Sequence, residues 1–350
     1  MKTTVRRARE DDVTLIFEDF KKRYANNPLI VTKDYFNWQF YDHEQEQFRA
    51  FIGVEDDKLV AFQGYQPFDL HCGDRTLAGG YSLCWFSDVK GGIGLRVSSM
   101  IKQELDAMVY LYNTKESFRI CQKLGMYCFQ SMPRWVGVFE PEKAKAILQT
   151  SDEQFSKRAS QSANLLKTAQ STSPTTRSAR LDDSKNYFIP PQGVKFWAAR
   201  TGQYLNHRYV DIPGHDYRIA EGQTGLAVWR VEDIMHGFGA VIRLLEWTLE
   251  DDDPQASSVM SAIVADAQAH DVILIDFYCT VERAGQRLEP FGMFPAAQYG
   301  QSYIPRLFRP LNYDDDLLPI NGALQVPIEG AHLENVYFTR GDGDYDRVKR

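Results

Sequence analysis

The chain has 350 residues, long enough for two hydrophobic cores, and its 43% hydrophobic and 25% charged residues are ordinary for a globular protein. Forty Lys and Arg against 47 Asp and Glu leave a net charge of −7, and no basic run is long enough to form a polyanion-binding stripe, which argues against a nucleic-acid partner. Five cysteines without CxxC spacing argue against a disulfide framework or a zinc site, and neither a signal peptide nor a membrane-length apolar run is evident, so the expectation is a cytoplasmic protein with no membrane partner.

In chain order, Val5 to Ala8 reads as a strand, and Glu10-Asp11-Asp12 supplies the cap and first-turn acids of a helix whose Val13, Ile16, Phe17 and Phe20 share one face. A second helix is expected over 34–40. Strands follow over 48–54 and 59–65, with Glu55-Asp56-Asp57 as the turn, and another over 81–87. The stripe Val97, Ile101, Leu105, Met108 predicts a helix over about 94–106. A strand over 108–112, a short helix over 115–124 closed by Gly125, and a strand over 126–132 complete this unit. Residues 151–183 are rich in Ser and Thr and read as a connecting segment with some helix-forming residues near Ala163.

Parts of this unit recur. Tyr35-Phe36-Asn37-Trp38 is answered by Tyr204-Leu205-Asn206-His207, and Phe48-Arg49-Ala50 by Tyr217-Arg218-Ile219. Val97-Ser98-Ser99-Met100 is answered by Ser257-Ser258-Val259-Met260. Tyr112-Asn113-Thr114 with Gly125-Met126 is answered by Tyr278-Cys279-Thr280 with Gly292-Met293. Four matches in one order at a nearly constant offset indicate a duplication. The chain therefore divides into an N-terminal unit (1–150), a connecting segment (151–190) and a C-terminal unit (191–350). The expected fold class is α/β, each unit a central mixed sheet flanked by helices.

The segment Val89-Lys90-Gly91-Gly92-Ile93-Gly94-Leu95 joins a strand to a helix. Glycines without Cβ let consecutive amides turn toward one centre, and the helix start adds free N–H groups and the positive end of its dipole. Such a loop suits a pyrophosphate, with Lys90 as an added charge. It lacks the GK[ST] of a Walker loop and the spacing of a dinucleotide fingerprint.

Strand, glycine loop, amphipathic helix, a strand ending in Asn113 and a short helix ending in Lys123-Leu124-Gly125-Met126 resemble, in that order, the core of the GNAT superfamily of N-acetyltransferases. That family's Q/R-x-x-G-x-G/A loop falls on Val89 to Gly94, with Val89 departing at the first position. The resemblance implies an acyl-CoA wedged between two splayed strands ending at Ser87 and Tyr112. Phe86 and Ser87 would run beside the pantetheine, Asn113 and Ser117 would touch it from the other side, and Lys90, Gly91, Gly92, Ile93, Gly94 and Leu95 would hold the pyrophosphate. It also implies direct attack of an amine on the thioester. The family's proton-donating Tyr position is occupied here by Cys121, which the apolar spacing of Phe118 and Leu124 equally reads as core.

In the second copy the loop becomes Glu250-Asp251-Asp252-Asp253-Pro254. Four acids repel a pyrophosphate and Pro254 removes a donor, so this copy is expected to wall the acceptor cleft, with Asp253 as a helix N-cap. Candidates for acceptor work are Asp88 beside the loop, His207 in the place of Trp38, and Glu246, an acid within an apolar strand that needs a partner if buried. The tail Gly341-Asp342-Gly343-Asp344-Tyr345-Asp346-Arg347 lacks the later residues of a calcium loop, and no metal is expected. It is similar to the ends of tandem GNAT sugar-nucleotide N-acyltransferases, which implies a nucleotide-linked amino sugar, such as a dTDP-3-amino-3,6-dideoxyhexose, as acceptor. The alternatives are a peptidoglycan-bridge aminoacyl transferase, disfavoured by the acidic charge, and a non-catalytic ligand-binding pair.

Overall fold

The computed structural model describes residues 3–25, 28–148, 152–169, 179–234, 237–299, 320–327 and 330–343. The first half gives β1 (Thr4–Arg7), α1 (Val13–Arg23), α2 (Lys33–Phe40), the small hairpin β2 (Tyr41–Asp42) and β3 (Gln47–Phe48), then β4 (Ala50–Glu55). A long hairpin follows, β5 (Lys58–Cys72) and β6 (Arg75–Ser87), turning at Gly73 with φ 59°. After it come α3 (Ile93–Ile101), β7 (Ala107–Leu111), α4 (Lys115–Lys123), β8 (Tyr127–Phe129), β9 (Arg134–Val138), α5 (Pro141–Leu148) and α6 (Glu153–Thr168).

The second half gives β10 (Phe196–Ala198), α7 (Gly202–Leu205) with a π turn over Asn206–Val210, β11 (Arg218–Glu221), β12 (Leu226–Asp233) and β13 (Ala240–Trp247). It continues with α8 (Ala256–Ala269), β14 (Val272–Tyr278), α9 (Glu282–Gln286), β15 (Phe294–Pro295), β16 (Gly322–Gln325) and β17 (Val336–Tyr337). The same order of strands and helices thus appears twice, and the short helices of both copies are followed by a left-handed glycine, Gly125 (φ 70°) and Gly292 (φ 92°).

Two mixed sheets result. The first runs β1-β4-β5-β6-β7-β16-β8, and β10, with β17 beside it, extends the far end of β5. The second runs β11-β12-β13-β14-β9-β15. The copies exchange a strand. β9 follows the first copy's β8 but pairs with β14 and β15, while β16, from the second half, lies between β7 and β8. The exchanged strands are buried: Trp135, Val136, Val138, Ala323 and Leu324 are each at most 1% exposed.

Side-chain alternation along the first sheet's strands sends residues to opposite faces. Ile52, Phe62 and Leu83 pack under Ile16, Phe20, Phe36 and Phe40 of α1 and α2. Phe51, Ala61 and Tyr110 pack under Ile93, Val97 and Ile101 of α3. The first sheet therefore separates the helix carrying the glycine loop from α1 and α2. On the second sheet, α6 covers part of β9 through Phe155 and Ala159, so much of the expected connecting segment is core-forming helix.

Several boundaries differ from the sequence reading. The long hairpin outruns the expected strands because both of its arms stay buried past Tyr65, against Phe196 and Phe338. Helix α3 stops at Ile101, where chain reversal lets Leu105 cover Gly80. Asp253 does not cap α8 at its first turn. Its carboxylate takes the N–H of Gln255 (2.8 Å) and the N–H (2.7 Å) and hydroxyl (2.6 Å) of Thr224, and the helix starts at Ala256. Among the described residues no helix is long and apolar enough to cross a membrane.

Candidate functional site

Parallel pairing between β6 and β7 covers only Gly79↔Ala107, Gly80↔Met108 and Tyr81↔Val109. Both strands continue, to Ser87 and Leu111, so they part beyond Tyr81 and leave a wedge with two unpaired edges. A bulge helps them part. Cys84 has φ 55°, and the β5–β6 register shifts between Phe62 and Gly64, which bends β6 away from its neighbour.

The glycine loop stands at the open end of this wedge. Gly91 (φ 94°) and Gly92 (φ 79°) occupy left-handed conformations that disfavour side chains, and Gly92 is the N-cap of α3. The first amide of this helix with an intramolecular acceptor is that of Arg96, which donates to the Gly92 carbonyl (3.0 Å). The amides of Lys90 through Leu95 have no acceptor among the described residues. A Cβ built on Gly91 or Gly92 meets nothing within 4 Å, so the surface in front of these amides is open. Gly94 has a different role: a Cβ there would stand 3.0 Å from Ser87 Cβ, so the glycine lets the helix start close on the strand end.

Around the loop, Ser87 donates its hydroxyl to the Val89 carbonyl (3.2 Å). Asp88 is exposed and paired with Arg23 of α1, whose guanidinium also lies 3.8 Å above the Phe86 ring and bonds Asp19. On the β7 side, Tyr112 has φ 59° and donates its N–H to the Asn321 carbonyl (3.0 Å). Asn113 gives its own N–H to Asn321 Oδ1 (2.8 Å) and its side-chain amide to the Tyr110 carbonyl (3.1 Å). Its polar groups are thus spent inside the protein, in contrast to the loop amides. Ser117 sits in the exposed first turn of α4, its hydroxyl turned back on Thr114.

Cys121 is fully buried, with its sulfur 4.0 Å from Asn113 Oδ1. Burial, with Cys128 adding, pushes its thiol up to about 12. So weakly acidic a thiol would give its proton to a departing thiolate only uphill, since an ordinary thiol titrates near 8.5.

The structure places His207 and Glu246 apart from this wedge. His207 stacks on Trp38, its counterpart in the first copy, with centroids 5.4 Å apart, and its carbonyl accepts from Trp38 Nε1 (2.8 Å). The pair lines a cavity of about 580 Å³ together with Tyr41, Asp42, Arg49 and Asp211. Burial, with Arg49 and Arg208 nearby, lowers the imidazole to about 4, so it is neutral at pH 7 and a weak base.

Glu246 is fully buried in β13, so it faces neither solvent nor an open cleft. It accepts from Tyr209 (2.9 Å) and Thr339 (3.3 Å) and pairs with Arg200 (3.1 Å). Burial pushes its carboxyl up to about 7, with Arg200 pulling it down and Asp342 pushing it up. Arg200 reaches Asp342 (2.5 Å), whose other oxygen accepts from Tyr81 (2.6 Å), the last paired residue of the wedge. In the sequence Asp342 stands out only as part of a metal-like tail, and no spacing signal marks Arg200 or Tyr81. Asp344, Asp346 and Arg347 of that tail lie outside the described residues.

The second copy has an equivalent wedge, and the chain itself fills it. β13 and β14 pair in parallel from Ala240↔Val272 to Leu244↔Phe277 and then part. Into the gap comes the segment after β17: Thr339 bridges Cys279, the Thr280 N–H donates to the Phe338 carbonyl (2.9 Å), and Thr339 reaches Glu246. The acidic loop is also occupied, with Asp253 on Thr224, Asp251 paired to Arg287 (3.3 Å) and the Leu249 carbonyl accepting from Arg287 (3.1 Å).

No family model and no curated protein matches the chain. Among solved structures, it is similar to N-myristoyltransferase of Saccharomyces cerevisiae with bound myristoyl-CoA, at a TM-score of 0.48 and 11% identity over 95% of this chain and 86% of that one. A conserved protein of unknown function from Enterococcus faecalis V583, described as a probable N-acyltransferase, gives 0.45 and 10% over 79% of this chain. This chain spans 64% of that protein, under two thirds of its length. A GCN5-related N-acetyltransferase from Kribbella flavida gives 0.43 and 9% over 79% and 63%. At these values the likeness is one of general chain path.

Proposed function

We propose that this protein is an N-acyltransferase that binds acyl-CoA in the first wedge and passes the acyl group to the amine of a nucleotide-linked amino sugar. The observation that carries the reading is the row of unpaired amides from Lys90 to Leu95 at the mouth of two parting parallel strands. The first amides of a helix have no intrahelical acceptor, and here the row begins on the exposed residues Lys90, Gly91 and Gly92, where an anion can reach it. The contrast within the molecule supports it: the duplicate wedge is filled by the chain's own residues, and the duplicate loop is held by side chains.

In this reading the pyrophosphate rests on the loop and the helix dipole, with Lys90 beside it. The pantetheine takes the place of the missing strand, its amides meeting the unpaired edges of β6 and β7. The acceptor ammonium first gives up one proton; the neutral amine then attacks the thioester carbonyl carbon, the C–S bond breaks, and the nitrogen sheds a second proton as the amide forms. Asp88, exposed at the strand end, is the acid nearest the loop that can orient an ammonium, provided Arg23 releases it. The buried thiol of Cys121 leaves the departing thiolate to take its proton from water or from the nitrogen of the tetrahedral adduct.

Calorimetry with CoA, followed by free-thiol release with acyl-CoAs and nucleotide-linked amino sugars, tests the proposal. CoA binding with acceptor-dependent thiol release is expected. Absence of CoA binding overturns the reading, and tight binding without turnover on any acceptor reduces the protein to a ligand-binding module.

A further inference from the structure

One residue inside the wedge has a place that the loop and its pyrophosphate do not account for. Trp85 lies on β6, four residues beyond the last β6–β7 pair. Its ring reaches across the gap to Tyr110 on β7, with centroids 5.5 Å apart. Its Nε1 donates to the Gly94 carbonyl (3.2 Å) in the first turn of α3. Tyr110 is held in turn by Ser98 of the same helix (3.3 Å). The indole therefore closes the helix-side face of the wedge and ties that closure to the helix carrying the loop.

The opposite face is closed near the apex as well. Tyr81, the last paired residue, bonds Asp342, and the Tyr112 hydroxyl donates to the Arg340 carbonyl (3.3 Å). Gly343 packs on the Tyr112 ring so closely that a Cβ there would collide with it. Between Trp85 and the apex the wedge is thus walled by two aromatic rings on one side and by the terminal segment on the other.

The position along the strand gives this wall a meaning. From Lys90 back to Trp85 is five residues, at most roughly 16 Å at about 3.3 Å each. That is comparable to the reach of an extended pantetheine arm from its phosphate. A cofactor held by the loop brings its thioester to the level of Trp85, and the acyl group then points at the wall.

Resting on the acyl-CoA reading, we infer that Trp85 is the residue that sets acyl-chain length, and that the protein takes short acyl groups. The wall leaves no path toward the apex for a long chain, and the rings flanking it are pinned through Gly94 and Ser98, so widening it means breaking two hydrogen bonds.

The test measures kcat/KM for thiol release, and affinity by calorimetry, over acetyl-, butyryl-, octanoyl- and dodecanoyl-CoA, with free CoA as reference. The wild type should favour acetyl- or butyryl-CoA over octanoyl-CoA by about 10-fold to 200-fold, the range set by a tight apolar pocket. Trp85→Leu, which also loses the bond to Gly94, should bind free CoA as weakly as Trp85→Phe does and should narrow or reverse that ratio. Trp85→Phe keeps the ring but loses the bond to Gly94, and should keep the preference with weaker CoA binding. Equal use of octanoyl- and acetyl-CoA by the wild type overturns the inference, as does an unchanged ratio in Trp85→Leu. Failure of free CoA to bind the wild type instead overturns the parent reading. If Trp85→Leu does not fold, the ratio is read from Tyr110→Leu, which opens the same wall from β7, and the same two outcomes decide.

Discussion

Replacing Gly92 separates what the loop does for folding from what it does for binding. Gly92 has φ 79° and ψ 16°, and a side chain in this left-handed region costs about 1–2 kcal/mol. That strain is present with or without a ligand, so it lowers stability and cancels in binding. A Cβ there meets no atom within 4 Å, so Gly92→Ala introduces strain without a clash. Gly92→Ala should lower Tm by a few degrees and leave CoA affinity within about tenfold of wild type. Gly92→Glu carries the same strain and adds a carboxylate in front of the open amides. Two unit charges about 4–5 Å apart at an effective dielectric near 20 repel by about 3–4 kcal/mol, which is two to three decades of affinity. Gly92→Gln, equal in size and neutral, isolates the charge. Calorimetry and thermal unfolding of the three variants give the comparison. If Gly92→Glu binds CoA as well as Gly92→Gln does, the diphosphate is not at residues 90 to 95.

Three other outcomes follow from the same geometry. Native mass spectrometry should find one CoA per chain, because the second wedge holds Thr339 and the second loop is tied to Thr224 and Arg287; two per chain contradicts this. Glu246 holds its proton up to about pH 7 when folded but ionises near 4.5 when unfolded, so its contribution to stability is largest below about 4.5, declines to pH 7 and is then flat. The decline is bounded by about 3 kcal/mol, from roughly 1.4 kcal/mol per unit, and Glu246→Gln should remove it, seen as a Tm difference between variant and wild type that changes from pH 4.5 to 7. A pH-independent difference refutes the assignment. Last, residues 1–150 expressed alone should not fold, since β9 would lack β14 and β7 would lack β16, whereas co-expressed fragments 1–174 and 175–350 should assemble; a monomeric, cooperatively unfolding 1–150 fragment counts against this.

The glycine loop was legible because its signal is local: Gly91 and Gly92 announce a left-handed turn, and the Val97 and Ile101 stripe announces the helix behind it. The duplication was legible for the same reason, since each copy repeats its own turn and cap residues. Local signals do not say which sheet a strand joins. The local pattern ends the first unit with the strand over 126–132 and leaves Trp135-Val136-Gly137-Val138 unassigned; the packed molecule pairs this strand with β14 and β15. Because of the exchange, a cut at residue 150 separates β9 from β14 and β15 and β7 from β16. Glu246 shows the same limit from the side of charge. An acid in an apolar strand announces that it needs a partner, yet Arg200, Tyr209 and Thr339 come from three separate elements, and no spacing rule joins them. The consequence for function is physical. The terminal segment that gives Glu246 the Thr339 hydroxyl also carries Asp342, which accepts from Tyr81, so the filled wedge of one copy meets the apex of the open wedge in the other. The two copies hold two clefts, and the segment that fills one of them reaches the apex of the other through Asp342 and Tyr81.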